Sequence, residues 1–265
     1  MNSERLISLA AGVIPELMKD PARFVEVTAR AGWKATGVWF DQESWSPTTS
    51  REVKKRIDHW GIEAIDMEVI RLGKNFEKSK ALIEAACEVG AKNILVVSSL
   101  DSSEETADQL SHLCSLAEAE EIVICLEFMK FTSVKSLSDA LNIIGLVDAN
   151  NIGILLDLLH VARSGTTFKE IEACDPKLFP YAQWCDGTQQ PIGWSNSELI
   201  TDALDDRLLP TQGGLNASEF ESLFDERVPF SIEVRSKRLR TEFLEFEERA
   251  RYVLEQTLAA LPISG

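Results

Sequence analysis

Ile122-Val123-Ile124-Cys125-Leu126-Glu127 is followed by a second run, Ile152-Gly153-Ile154-Leu155-Leu156-Asp157, that ends 30 residues after the first. Each is a short apolar run closed by a carboxylate. Runs of this length are buried strands, and about 30 residues is one strand–helix unit of a barrel. Similar runs lie on either side. Before these two come Leu6–Ala10, Thr36–Trp39, Ala64–Val69 and Asn93–Val97, and after them Tyr181–Gln183 and Pro229–Glu233. Between the runs lie amphipathic segments. Pro21–Ala31 carries Phe24, Val27 and Ala31 at helical spacing, and Glu77–Val89 carries Ala81, Leu82, Ala85 and Ala86. Leu137–Val147 carries Leu137, Leu141 and Ile144, and Glu242–Leu261 behaves alike. Strands alternating with helices predict a parallel sheet. Eight such units within 265 residues fit a closed α/β barrel, (β/α)8, as one domain over residues 1–265. No Gly-x-Gly-x-x-Gly follows the first strand, which argues against an open dinucleotide-binding sheet. A long polar stretch, Gly187–Asn216, separates the last two strands, and loops of that length are usually functional.

The formal net charge is −16. Such a field repels phosphate backbones, so nucleic acid is not an expected partner. No run approaches the ~20 apolar residues of a membrane span, and Met1–Arg5 has no basic leader feeding a long apolar segment. The five cysteines, at 87, 114, 125, 174 and 185, are odd in number and show no metal-ligand spacing. Cys87, Cys114 and Cys125 fall in apolar patterns, so reduced, mostly buried thiols in a cytoplasmic protein are expected. The sequence is compatible with a monomer or a homo-oligomer.

The carboxyl ends of barrel strands face the active-site mouth. Strands five, six and eight end in Glu127, Asp157 and Glu233, and strand seven carries Gln183. Any one of these could merely cap the next helix. Three carboxylates aimed at one opening, however, repel one another unless a cation neutralises them. An all-oxygen donor set favours Mg²⁺ or Mn²⁺ over Zn²⁺.

Several segments resemble, in order, those of the xylose-isomerase-like TIM barrels grouped as sugar phosphate isomerases and epimerases. They are Glu127 in Cys125–Met129, the run Leu156–Gly165, Gln183–Gly187, Arg207–Pro210 and Ile232–Ser236. The likeness spans nearly the whole chain. It implies one divalent metal held by Glu127, Asp157, Gln183 and Glu233. Many members have histidine where this chain has Gln183, whereas bacterial 3-dehydroshikimate dehydratases resemble it in having glutamine. Those dehydratases carry an Arg-Asp-Phe-Glu-Gly run after the third strand, where this chain has Arg71-Leu72-Gly73-Lys74-Asn75.

The resemblance also implies that His160 contacts substrate oxygens. Asp157 and His160 are three apart beyond a strand end, so both can face the mouth. Arg163 can bind substrate or simply pair with an acid. Glu68 and Arg71 close the third strand, Arg235 follows Glu233 by two, and Trp39 ends the second strand; all are substrate-side candidates. His59 and His112 read as helix residues without a chemical role, Lys130 as loop surface, and Ser103–Glu121 as a solvated acidic helix.

The expected activity is an isomerase or epimerase of a small polyhydroxy carbonyl compound. Glu127 and Glu233 would move a proton beside the carbonyl through an enediolate, and His160 would steady an oxygen. A lyase of the 3-dehydroshikimate dehydratase type uses the same first step and expels water. The fold likeness extends to endonucleases of abasic sites, but these use several metals and many histidines. Three histidines and a charge of −16 argue against that class. A ligand-sensing barrel without activity is a third class, and four oxygen-donor side chains give it no support.

Overall fold

The computed structural model describes residues 5–73, 76–189 and 194–261. Eight parallel strands close into a barrel in sequence order. They are β1 (Ile7–Leu9), β2 (Ala35–Trp39), β3 (Glu63–Leu72), β4 (Asn93–Ser98), β5 (Val123–Glu127), β6 (Ile152–Asp157), β7 (Ala182–Trp184) and β8 (Phe230–Ile232). The closing pair is β1 with β8, in register from Ile7 opposite Phe230 to Leu9 opposite Ile232. The main helices of the outer layer are α1 (Pro21–Arg30), α2 (Pro47–Trp60), α3 (Ser79–Val89), α4 (Ser103–Ala117), α5 (Leu137–Ile144), α6 (Leu158–Ser164), α7 (Phe168–Glu172), α8 (Asn196–Asp205), α9 (Ala217–Ser222), α10 (Lys237–Glu242) and α11 (Phe246–Ala260).

Period-two alternation sorts strands such as β4 between two cores. On β4, Ile94 and Val96 join the large core between strands and helices. Leu95 and Val97 join Ala35, Ile65, Cys125, Leu155 and Tyr181 in a smaller cluster, the filling of the barrel itself. Helix starts follow local chemistry. Asp20 accepts from the Arg23 N–H with Pro21 in the first turn of α1, and Ser46, Thr167 and Ser195 form capping boxes.

The structure corrects several details of the sequence reading. β7 lies one residue later than expected and β3 runs ten residues, on to Leu72. The polar stretch after β7 contains α8, whose Leu199, Asp202 and Ala203 are buried. The Ser103–Glu121 segment is more than a solvated face: α4 buries Ala107, Leu110, Leu113, Cys114 and Ala117, because an outer-layer helix must cover the strands on one side. Cys87 is exposed, while Cys114, Cys125 and Cys185 are buried, and all five thiols are free. No described helix is long and apolar enough to cross a membrane.

Candidate active site

A cavity of about 270 Å³ opens at the carboxyl ends of the strands. Its polar lining gathers Glu68, Glu127, His160, Gln183, Glu233 and Arg207, with Arg71 and Arg235. The apolar wall is Trp39 from β2, Met129 and Phe131 beyond β5, and Ile200 and Leu204 from α8. Strand register sets this convergence. Gln183 stands opposite Asp157 on β6 and opposite Ser231 on β8, so β5 to β8 deliver their terminal side chains side by side.

Asp157 does two structural jobs at once. Its Oδ1 caps α6, accepting the backbone N–H groups of Leu159 at 2.8 Å and His160 at 3.2 Å. Its Oδ2 accepts from Arg207 Nη1 at 2.6 Å. Arg207 is buried and also donates through Nε to the Ala203 carbonyl at 2.9 Å. Burial raises the Asp157 pKa, but Arg207 and His160 together outweigh it and hold the carboxyl below its ordinary range. Two oxygens provide about four lone-pair positions, so Asp157 keeps capacity for a further partner.

Glu127 and Glu233 behave oppositely. Burial first, then repulsion from Asp157, pushes the Glu127 carboxyl well up. Burial also raises Glu233, against the pull of Arg207 and Arg235. Glu233 Oε2 and Glu68 Oε1 are buried without a hydrogen-bond partner, as is Arg235 Nε. Gly12 makes room for this side of the site. A Cβ there would fall 2.4 Å from Glu233 Oε1 and 2.9 Å from Arg235 Cδ. Any larger residue would displace both side chains.

Burial lowers the His160 pKa to about 4, even though Asp157 pulls it up. The ring is therefore neutral near pH 7, and its 3.9 Å approach to Glu127 is not an ion pair. Nε2 lies 3.5 Å from Arg207 Nη2. A guanidinium only donates, so the tautomer that suits this contact carries its proton on Nδ1. Phe131 packs edge-on against the ring at 5.7 Å.

Glu127, Asp157 and His160 each offer a ligand atom within 4.8 Å of the others. Glu233 lines the same cavity outside that triplet. Hard carboxylate oxygens, crowded enough to raise one another's pKa, are suited to a divalent cation, and Glu233 supplies an orphaned oxygen beside them.

Of the sequence candidates, the cavity brings together Glu68, Arg71, Glu127, His160, Gln183, Glu233, Arg235 and Trp39, with Asp157 immediately behind His160. Arg163 goes elsewhere. It pairs with buried Asp202 of α8 at 2.7 Å, donates to the Thr188 carbonyl at 2.8 Å and stacks on Trp194 at 4.6 Å. This corrects its assignment to substrate: a buried Asp202 requires a counter-charge, and Arg163 supplies it. Lys74 and Asn75, in the segment set against the dehydratase run, lie outside the described residues. His59 and His112 sit on α2 and α4 beside Trp60 and Phe76.

Sequence reasoning assigned no role to Arg207 and did not single out Asp66. Asp66 is on β3, two residues before Glu68 and on the same face, a spacing visible in the sequence. It is fully buried, neither oxygen has a hydrogen-bond partner, and burial followed by Glu233 raises its pKa to about 8. Gly37 leaves room beside it, since a Cβ there would lie 3.1 Å from Asp66 Oδ1.

A family model described as xylose isomerase-like TIM barrel matches residues 22–256. An inosose isomerase of Bacillus licheniformis is 26% identical over 196 residues, 69% of this chain and 67% of that protein. One of Bacillus subtilis is 27% identical over 62% of this chain and 60% of its own length. The matches thus span about two thirds or less of these relatives. Among solved structures, the IOLI protein with a bound zinc atom superposes with a TM-score of 0.80 at 18% identity, covering 96% of this chain and 97% of that one. A probable 3-DHS dehydratase of Bacillus anthracis superposes at 0.72 and 17% identity, covering 94% and 98%. At these identities the structures show a shared fold.

Proposed function

The chain belongs to the xylose isomerase-like TIM-barrel family, and from that premise we propose that it is a divalent-metal-dependent isomerase or epimerase of a small hydroxy-carbonyl compound. One observation carries the reading. Glu127 and Glu233, from β5 and β8, line a single cavity, and burial raises both. A carboxyl group whose burial favours the protonated form takes up a proton more readily than an ordinary carboxylate and can return it to a reacting carbon.

Glu127, Asp157, Gln183 and Glu233 would hold the metal, with His160 close to Glu127 and Asp157. Mn²⁺ or Mg²⁺ suits the oxygen donors, and zinc, as in the IOLI structure, suits a site that includes His160. A divalent ion supplies a Lewis acid that polarises a carbonyl and acidifies the adjacent C–H bond. One carboxylate of the Glu127/Glu233 pair takes the proton from the carbon beside the carbonyl. It, or its partner in the protonated form, delivers a proton to the neighbouring carbon or to the opposite face. Neutral His160 holds a substrate oxygen by hydrogen bonding, and Arg207 keeps Asp157 ionised. The Trp39, Phe131 and Leu204 wall limits water at the reacting carbon.

Turnover of a hydroxy-carbonyl panel with Mn²⁺ in D₂O tests this reading. The expected product has the substrate's mass apart from deuterium at the carbon next to the carbonyl. Gln183, shared with the dehydratases the sequence resembles, favours a lyase as second reading. A product lighter by one water would establish that outcome and overturn the isomerase.

A further inference from the structure

We propose that a second cavity, joined to the reaction pocket and ringed by Arg71, Lys130 and Lys135, is a subsite for a compact anionic group, phosphate or carboxylate, carried by the substrate. The inference rests on reading the first cavity as the place of reaction. The second has a volume of about 570 Å³ and shares Arg71, Val97 and Phe131 with the first. Its lining comes from the ends of β3 and β4 and the segments after β4 and β5. These are the same ends of consecutive strands, so one ligand can span both spaces.

Charge is the main argument. The chain as a whole carries −16, yet three cations converge on this concavity against Asp101 as the one acid of the lining. Asp101 offsets one charge and leaves a positive basin. Elsewhere the arginines that matter to the fold are matched: Arg163 by Asp202, Arg207 by Asp157 and Arg249 by Glu16. Neither Lys130 nor Lys135 takes part in an ion pair among the described residues. Ser133 and Asn196 add neutral donors. The reaction pocket, by contrast, balances Glu68, Glu127 and Glu233 against Arg71, Arg207 and Arg235, so the excess of positive charge lies in the second cavity. An acidic substrate would therefore be oriented, its anionic end held over the lysines and its hydroxy-carbonyl end placed between Glu127 and Glu233. Arg71 stands at the junction, where its charge also acts on Glu127.

The test uses full-length protein with and without Mn²⁺, and compares it with the Lys130→Ala/Lys135→Ala double variant. Calorimetry with fructose, fructose 6-phosphate and fructuronate compares three ligands that share the hydroxy-ketone and differ at the far carbon: neutral, phosphate or carboxylate. At least one anionic ligand is expected to bind about tenfold tighter than fructose, and which one identifies the source. The double variant should erase that difference. Equal affinities, or a preference that survives the double substitution, would overturn the subsite. In parallel, inorganic phosphate is titrated while backbone amide shifts are followed. Saturable shifts at residues 98–101 and 130–135, lost in the variant, are expected, and none in the wild type would also overturn it. Saturable phosphate binding with no binding of any hexulose would leave the subsite standing and count against the hydroxy-carbonyl reading of the first pocket. Fructose binding without an anion effect would do the reverse.

Discussion

The two sides of the barrel mouth treat their buried charges in opposite ways. On the β6 side every charge has a partner. Asp157 is held by Arg207 and the start of α6, and Arg163 by Asp202 and Thr188. On the β3 and β8 side Asp66, Glu68 and Glu233 keep buried oxygens without partners, Arg235 Nε is unpaired, and the acids are raised. A buried polar atom left unpaired costs roughly 1–3 kcal/mol, so a fold retains such atoms chiefly where function requires them. The paired side is fixed in place by its own contacts before any ligand arrives. On the proposed reading the bare side, with Glu127 next to it, is where an ion and substrate would supply the missing partners.

The largest effect should come from the two glutamates placed to move the proton. Glu127→Gln and Glu233→Gln are each expected to lower turnover by about 10²–10⁴-fold while leaving the fold intact. Solvent-deuterium exchange into substrate reads the step directly, and circular dichroism reads the fold. Exchange within tenfold of wild type in either variant would show that the bare side is not the reactive one.

The next contrast sets Arg207 against Glu68. Arg207→Met strips a buried carboxylate of its counter-charge and should destabilise the protein by about 3–5 kcal/mol. Glu68→Gln removes a carboxyl already raised by burial and by Glu233 and should cost little or stabilise. Denaturant melts of the two metal-free variants decide the matter. Equal losses would erase the distinction between the two sides.

Asp66→Asn sharpens the same comparison through pH. The folded protein holds the Asp66 proton up to about 8, whereas the ordinary value is 3.8. Between those values the folded state binds more protons than the unfolded one. Stability therefore falls as pH rises through that window. The asparagine variant lacks this slope and should gain on the wild type with rising pH, by roughly 1.5–2 kcal/mol between pH 6.5 and 8. His160 slopes the other way, because its folded pKa is depressed from 6.5 to about 4. Its contribution is present above 6.5 and lost as pH falls toward 4, so the Asp66→Asn difference must be read above pH 6.5. Parallel pH profiles for the two proteins would show that Asp66 is not protonated in the fold.

What the sequence revealed and what it hid have physical causes. β5 and β6 were readable because an apolar run and its closing acid are local features, and Glu127 and Asp157 lie where that pattern puts them. β7 is three residues long, too short to fix its register from composition, hence the one-residue shift. α8 was hidden in a polar stretch because only Leu199, Asp202 and Ala203 of its residues are buried. Arg207 and Arg163 could not be assigned locally. Their partners Asp157 and Asp202 are 50 and 39 positions away, and a buried arginine is understood only once its acid is found. Asp66 carried a legible signal, an acid two residues before Glu68 in an apolar strand, but it was overlooked inside that run.

Gln183 stands on the boundary, between Asp157 on β6 and the β8 strand that ends beside Glu233. It lines the cavity and brings a neutral donor to a site otherwise dominated by carboxylates and one imidazole. An amide oxygen is a hard ligand, whereas an imidazole nitrogen favours softer ions. Gln183→His should therefore shift relative affinity from Mn²⁺ toward Zn²⁺, Co²⁺ or Ni²⁺, by about tenfold. Competitive titration of the metal-free protein measures the ratio without requiring a substrate. The direction is informative because His160 is already within reach of Glu127 and Asp157. If His160 is the nitrogen donor in the unmodified protein, zinc affinity should fall in His160→Ala. If His160 only contacts substrate, that variant should keep its metal and lose rate. A metal ratio unchanged in Gln183→His would remove Gln183 from the ion and leave it as part of the cavity wall.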